Sequence, residues 1–144
     1  MILWDVNLWV YAFRSDSPLH EQARAELALS SRPGDAFLFS PVVAASFLRL
    51  VTNPRIFVHP SSLEEAWAFV DALESHERAV RAEVDLMTFG IFKHLSLIAR
   101  AAGNDIPDAL LASIAIRSDA TLVSADRGFQ RFEGLACRFL DRHS

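Results

Sequence analysis

Residues 1–10 read MILWDVNLWV, an apolar run that a single acid, Asp5, interrupts. A carboxylate buried among such neighbours without a partner is costly or becomes protonated, so Asp5 is most simply held by a cation, by hydrogen bonds, or by both. Two other acids have comparable surroundings: Asp108 opens the apolar helical pattern DALLASIAI (residues 108–116), and Asp126 closes the strand pattern TLVSAD (residues 121–126). Few basic residues lie near these acids in the sequence to pair with them, so the acids indicate a site for a hard metal ion.

Length and composition predict one compact domain over residues 1–144. The hydrophobic fraction of 51% and the mean hydropathy of +0.20 indicate either apolar surface that meets a partner or a well-filled core, and composition does not separate the two. The single cysteine, Cys137, excludes an internal disulfide and fits a reducing compartment. No apolar run is long enough to span a membrane, and Asp5 comes too early for a signal peptide, so we expect a cytoplasmic protein without a membrane span.

The net charge of −4 argues against a non-specific nucleic-acid binder, which usually has a basic face, but it does not exclude a nuclease. Metal-binding carboxylates add to the negative count, and nearly all basic residues here are arginine, which suits bidentate contact with phosphate. Several arginines could form a positive rim, although we expect most of them to be solvated and structural: Arg14, Arg49, Arg55, Arg100, Arg117, Arg127 and Arg131.

Apolar periodicity and turn signals predict strands that alternate with helices. The predicted strands are residues 2–5, 36–40, 78–84, 121–126 and 136–140. The first predicted helix begins near residue 8, and the other helices cover residues 20–29, 41–51, 62–75, 86–102 and 108–118. Asn7 is expected to cap the first helix and Gly103 to end the fifth; residues 32–35 form a turn, and residues 127–129 form a helical turn. This alternation predicts an α/β fold, a three-layer α/β/α sandwich with a central parallel sheet of about five strands.

In open parallel sheets, ligands bind at the carboxyl ends of the strands, where the strand order reverses. Asp5 and Asp126 lie at such ends in the predicted fold. If the first and fourth strands are neighbours, these two acids converge, and Asp108 adds a third carboxylate from the first turn of its helix.

Three motifs in this order resemble the PIN-domain ribonucleases and, within them, the VapC-type toxins of bacterial toxin–antitoxin pairs: MILWDVN (1–7), NDIPDALLA (104–112) and ATLVSADRGF (120–129). The similarity covers the whole chain. It implies an endoribonuclease that depends on Mg²⁺, with Mn²⁺ able to substitute, and that cleaves structured RNA such as tRNA or rRNA. It also implies that Asp5, Asp108 and Asp126 bind the metal and carry catalysis, and that a small VapB-like antitoxin covers the active-site groove. The high apolar content fits both this partner and a homodimer.

One position departs from the pattern of that family. A glutamate is usual in the helix after the second strand, but residues 41–50 read PVVAASFLRL, with Ser46 in its place. A hydroxyl brings no charge, so we expect either a lower metal affinity or a second ion that does not bind without substrate. Around the three acids, Asn7 is expected to orient Asp5 or the helix entry, and Ser124 to hydrogen-bond a ligand carboxylate or water.

Structural roles compete with each of these functional roles. Asp5 could be a buried acid that hydrogen bonds satisfy, and Asp108 could simply stabilise the N-terminus of its helix. Asp105 is expected to be a cap rather than a ligand, Asn7 could be a cap rather than a site residue, and Ser46 and Ser124 could be structural. Asp119 follows a helix and is expected to be a solvated turn acid. The tryptophans are expected in the core, with Trp67 on the inner face of its helix.

Two other functions remain open. The chain could be a catalytically weakened PIN module that binds RNA or protein, because Ser46 replaces the usual acid. It could instead be a phosphohydrolase or receiver with Asp5 as phosphoryl acceptor, but Asn7 stands where a dehalogenase-type enzyme needs a second acid, and Lys93, the only lysine, lies within a predicted helix. The histidines show no zinc spacing, and no glycine-rich phosphate loop is present.

Overall fold

A computed structural model describes residues 1–28 and 35–140. Its centre is a five-stranded parallel sheet in the order β3-β2-β1-β4-β5. The strands are β1 (Ile2–Trp4), β2 (Phe37–Phe39), β3 (Ala79–Arg81), β4 (Thr121–Ser124) and β5 (Cys137–Phe139). The predicted parallel α/β fold is therefore confirmed, and so is the adjacency of the first and fourth strands.

The helices form two groups. They are α1 (Val6–Phe13), α2 (His20–Leu27), α3 (Pro41–Val51), α4 (Leu63–Glu74), α5 (Leu86–Ile98) and α6 (Asp105–Arg117), with a 3₁₀ helix at Arg127–Arg131. α1 packs on α2 and α3, and α3 packs on α4, whereas α5 packs on α6. The strand order runs from β1 to β3 in one direction and from β4 to β5 in the other, so right-handed crossovers place the two groups on opposite faces of the sheet. This is the predicted three-layer sandwich.

Aromatic side chains fill the core between the sheet and the first helix group. Trp4 on β1 lies 4.9 Å from Phe37 on β2, measured between ring centroids. Trp9 on α1 lies 5.8 Å from Phe47 on α3 in an edge-on arrangement, and all four side chains are fully buried. Each buried aromatic side chain contributes about 2 kcal/mol, which fixes the end of β1 and the start of α1.

Local signals set the boundaries of α3 and α4. Ser40 caps α3 by accepting a hydrogen bond from the backbone N–H of Val42, Pro41 occupies the first turn, and the helix ends at Val51 as predicted. Ser62 caps α4 by accepting from the N–H of Glu65 at 3.1 Å. Both helix starts depend on contacts between residues two or three positions apart in the sequence.

Three predicted boundaries were wrong. α1 begins at Val6 with Asp5 as its cap, so Asn7 lies inside the helix and does not cap it. α5 ends at Ile98, four residues before the predicted end, because Arg100 adopts a left-handed conformation with φ 51°. α6 begins at Asp105, three residues before Asp108. Residue 29 and most of the predicted turn at residues 32–35 lie outside the described residues.

The inner placement of Trp67 was also wrong. Its exposed fraction is 44%, and it lines an open cavity of about 570 Å³ together with Leu48 and Val70. Helical periodicity places Trp67 near the buried Ala66 and Val70 but does not fix which residue meets the sheet. Within residues 1–28 and 35–140, no helix is long and apolar enough to cross a membrane.

Candidate active site

Asp5 is buried where β1 passes into α1, with an exposed fraction of 6%. Its Oδ1 accepts a hydrogen bond from the N–H of Val6 at 2.7 Å, and its Oδ2 accepts from the hydroxyl of Ser124 at 2.6 Å. Burial raises the pKa of Asp5 to about 6; the two hydrogen bonds oppose this rise, and the charges of Asp108 and Asp126 add to it. The first acid of the sequence pattern is therefore a desolvated carboxylate with two fixed donors.

Ser124, fully buried at the end of β4, connects the carboxyl ends of the two central strands. Besides donating to Asp5, its oxygen accepts from the N–H of Asp126 at 2.9 Å and from Nδ2 of Asn7 at 3.5 Å. A hydroxyl offers one donor and two acceptor positions, so Ser124 uses its full capacity. These contacts hold Asp5 and the backbone of Asp126 in a fixed relation.

Asn7 brings one unsatisfied polar atom to this region. Its Oδ1 is buried and has no hydrogen-bond partner among the residues that the structure describes. A buried carbonyl oxygen without a donor costs about 1–3 kcal/mol. Such an oxygen is suited to a ligand that the protein itself does not provide, either a cation or an ordered water.

Asp126 is exposed and caps the 3₁₀ helix. Its Oδ1 accepts from the N–H of Gly128 at 2.8 Å. A Cβ on Gly128 would lie 2.6 Å from Nη1 of Arg131 and 2.9 Å from Oδ1 of Asp126. Only glycine therefore fits here without displacing the two charged side chains.

Asp108 lies in the first turn of α6 and is paired with an arginine. Nη2 of Arg131 lies 3.2 Å from Oδ2 of Asp108 and 3.0 Å from Oδ1 of Asp105. Burial raises the pKa of Asp108; Arg131 opposes this rise, and the charges of Asp126 and Asp105 reinforce it. We expected few basic residues near the acids, and for Asp108 this was wrong because Arg131 pairs with it.

The three acids share one electrostatic region at the carboxyl edge of β1 and β4. The charges of Asp108 and Asp126 both raise the pKa of Asp5, and the charge of Asp126 raises that of Asp108. Ser46 is half-buried on α3, and no interaction in the described ranges connects it to the three carboxylates. The structure thus brings together Asp5, Asp108 and Asp126, with Asn7 and Ser124, and leaves Ser46 apart from them.

The carboxylate oxygens of this site suit a hard divalent ion, although their side chains do not form a complete coordination shell. Over residues 1–28 and 35–140, no group of three or more His, Cys, Asp or Glu side chains is placed to hold a metal ion. The contacts of the carboxylates explain this, since Asp5, Asp108 and Asp126 each give at least one oxygen to an internal donor. Mutual repulsion among the acids and the unsatisfied oxygen of Asn7 are the features that a cation would relieve.

Sequence reasoning missed two participants in this region, Asp105 and Arg131. Asp105 is the first residue of α6 rather than its N-cap, and its carboxylate accepts from Arg131. Nothing in the sequence distinguishes Arg131 from the other arginines, apart from its position five residues after Asp126. Asp119 is an exposed turn residue, as expected, with φ 52°.

Comparison with known proteins identifies the family of this chain. The PIN domain family model matches residues 2–135. Ribonuclease VapC43 of Mycobacterium tuberculosis is 40% identical over 138 residues, which cover 96% of this chain and 94% of that protein. The chain belongs to the PIN domain family, within its VapC group.

Solved structures share the fold. A chain in the VapBC2 structure from Rickettsia felis, bound to a DNA fragment from its promoter, superposes with a TM-score of 0.73 at 22% identity and covers 98% of this chain and 100% of that one. VapC20 of Mycobacterium tuberculosis, described as a sarcin-ricin loop cleaving toxin, gives a TM-score of 0.67 at 15% identity, covering 94% of this chain and 99% of that one.

Proposed function

We propose that this chain is a divalent-metal-dependent endoribonuclease, the toxin of a toxin–antitoxin pair, which hydrolyses phosphodiester bonds in structured RNA such as tRNA or rRNA. The observation that carries the proposal is the placement of three acids at the carboxyl edge between β1 and β4. Ser124 bonds both Asp5 and the N–H of Asp126, and Arg131 bonds both Asp108 and the carbonyl of Gly128, two residues after Asp126. Membership of the VapC group supports the ribonuclease activity, because relatives that are 40% and 39% identical to this chain are named as VapC ribonucleases.

Each residue of the site has a defined part in this chemistry. Asp5, Asp108 and Asp126 would hold Mg²⁺, or Mn²⁺ in its place, and the bound ion would stabilise negative charge that develops on the phosphate. Ser124 favours the charged form of Asp5 by donating to it, and Asn7 restrains the Ser124 hydroxyl. Burial of Asp5 strengthens its attraction to a cation because little water screens it.

The direct test compares RNA cleavage by the native chain with cleavage by Asp5→Asn and Asp119→Asn. Total tRNA and rRNA are incubated with each protein in Mg²⁺, in Mn²⁺ and in EDTA, and the new RNA ends are sequenced. We expect the native chain and Asp119→Asn to cleave with either metal, and Asp5→Asn and the EDTA samples to be inactive. Equal cleavage by the native and Asp5→Asn proteins would show that this site does not carry the reaction.

A catalytically weakened module that binds RNA or protein is the second candidate. Two observations favour it: Ser46 brings no charge where the family usually has an acid, and Arg131 already occupies one oxygen of Asp108. This candidate predicts retention of labelled tRNA in a filter-binding assay without any cleavage in Mg²⁺ or Mn²⁺. Metal-dependent cleavage that Asp5→Asn abolishes would exclude it.

We also propose that the chain pairs with a small VapB-like antitoxin and forms a homodimer. Large apolar side chains project into solvent on α5, where Leu86 is 89% exposed, Met87 64% and Leu97 67%. Exposed apolar area of this kind is typical of surfaces that meet protein. Co-expression with the product of a short neighbouring reading frame, followed by light scattering with and without it, tests both partners; a monomer that captures nothing would contradict them.

A further inference from the structure

The guanidinium of Arg131 is held in place from several sides. Besides its contacts with Asp105 and Asp108, its Nη1 donates to the backbone carbonyl of Gly128 at 2.5 Å. Its guanidinium carbon lies 4.5 Å from the centre of the Phe132 ring, and its side chain is 31% exposed. A positive charge with this many restraints is a fixed part of the acidic region rather than a free surface arginine.

We propose that Arg131 is an internal counter-cation, which shares Asp108 with the divalent ion and thereby weakens binding of that ion. It is a positioning residue that acts through Asp108. The inference rests on the proposed metal-dependent function.

The physical reason is competition between like charges for one carboxylate. A divalent ion that binds Asp108 meets the charge of Arg131, which already lies 3.2 Å from an oxygen of the same group. Two cations on one carboxylate repel each other, and the restraints from Gly128 and Phe132 limit how far Arg131 can move away. Removal of this charge removes the repulsion and should therefore strengthen metal binding.

The test measures Mn²⁺ affinity directly, by the loss of the free-ion signal in electron paramagnetic resonance at pH 8, without reference to catalysis. The native chain is compared with Arg131→Met and Arg131→Lys. Arg117→Met is the matched control, since Arg117 also pairs with a carboxylate, Asp85, at 3.1 Å. It lies nine residues beyond Asp108 in α6, about 13.5 Å along the axis, which is further than charges act unscreened in physiological salt.

We expect Arg131→Met to bind Mn²⁺ roughly three- to tenfold more tightly than the native chain, the effect of one nearby charge in a partly solvated site. Arg131→Lys keeps the charge but loses the planar fork and the contact with the Phe132 ring, so its affinity should lie between those of the native chain and Arg131→Met. Arg117→Met should leave the affinity unchanged. Melting curves provide a second readout: Mn²⁺ should raise the Tm of Arg131→Met by more than it raises that of the native chain.

The outcomes separate this inference from the proposed function. Unchanged or weaker binding by Arg131→Met would overturn the inference, as would equal strengthening by Arg117→Met, which would reveal a general effect of net charge. In both cases the metal-dependent function would stand if Asp5→Asn abolishes Mn²⁺ binding. Absence of Mn²⁺ binding in the native chain and in every variant would overturn both proposals.

Discussion

Replacement of Ser124 by alanine tests the hydrogen-bond arrangement that holds the site together. The substitution removes the donor to Oδ2 of Asp5 and the acceptor for the N–H of Asp126, at 2.6 Å and 2.9 Å. A hydrogen bond to a charged group contributes about 1.5–3 kcal/mol, and an orphaned buried group costs a similar amount. We expect the free energy of unfolding at pH 8, in EDTA, to fall by roughly 2–4 kcal/mol.

The loss should depend on pH because the pKa of Asp5 is about 6. At pH 8 the carboxylate is charged and loses its charge-assisted bond, whereas at pH 4.5 the carboxyl group is largely neutral and loses a weaker one. The effect of Ser124→Ala should therefore be smaller at pH 4.5 than at pH 8 by about 1 kcal/mol. Urea unfolding, followed by circular dichroism at both pH values, measures this difference.

Ser113→Ala is the matched control for this experiment. Ser113 is also fully buried, but its hydroxyl bonds the carbonyl of Leu110 in the same helix at 2.6 Å. We expect it to cost about 1 kcal/mol at both pH values, the usual contribution of a neutral hydrogen bond. If Ser124→Ala costs no more than Ser113→Ala at pH 8, or if its cost does not change with pH, the assigned role of Ser124 is wrong.

Three further substitutions test other parts of the structure. Because the pKa of Asp5 is raised, the folded chain binds this proton more tightly than the unfolded chain does. The free energy of unfolding in EDTA should therefore increase by up to about 3 kcal/mol as pH falls from 8 through 6 towards 3.8. Urea titrations should show a flatter pH profile for Asp5→Asn. Gly128→Ala displaces the side chains of Arg131 and Asp126 and should reduce RNA cleavage on the order of ten- to a hundredfold. It should lower the free energy of unfolding by only about 1 kcal/mol. Native-like cleavage would contradict the close packing of these two side chains against Gly128. Arg138→Met removes the bidentate partner of buried Glu26, which forms hydrogen bonds of 3.0 Å and 2.8 Å. It should lower the free energy of unfolding by about 2 kcal/mol and leave metal affinity unchanged. A loss below about 0.5 kcal/mol would contradict a structural role for this pair.

Much of the fold could be predicted because it depends on local patterns. Ser40 and Pro41 start α3, and apolar strands bounded by capped helices require a parallel sheet with crossovers. The end of α5 could not be predicted, because Arg100 adopts a left-handed conformation that a non-glycine residue rarely takes. The prediction for Trp67 was wrong for a different reason: helical periodicity alone does not determine which side of α4 meets the sheet.

The sequence by itself determined the class of fold and which acids stand at the ends of strands and at the start of a helix, because periodicity and capping depend on residues a few positions apart. Only the tertiary structure decided how those acids are held. The bond from Ser124 to Asp5 joins residues 119 positions apart, and the contact from Arg131 to Asp108 joins residues 23 positions apart. The first pair needs β1 and β4 side by side in the sheet, the second needs α6 next to the segment that follows β4, and no local pattern records either geometry.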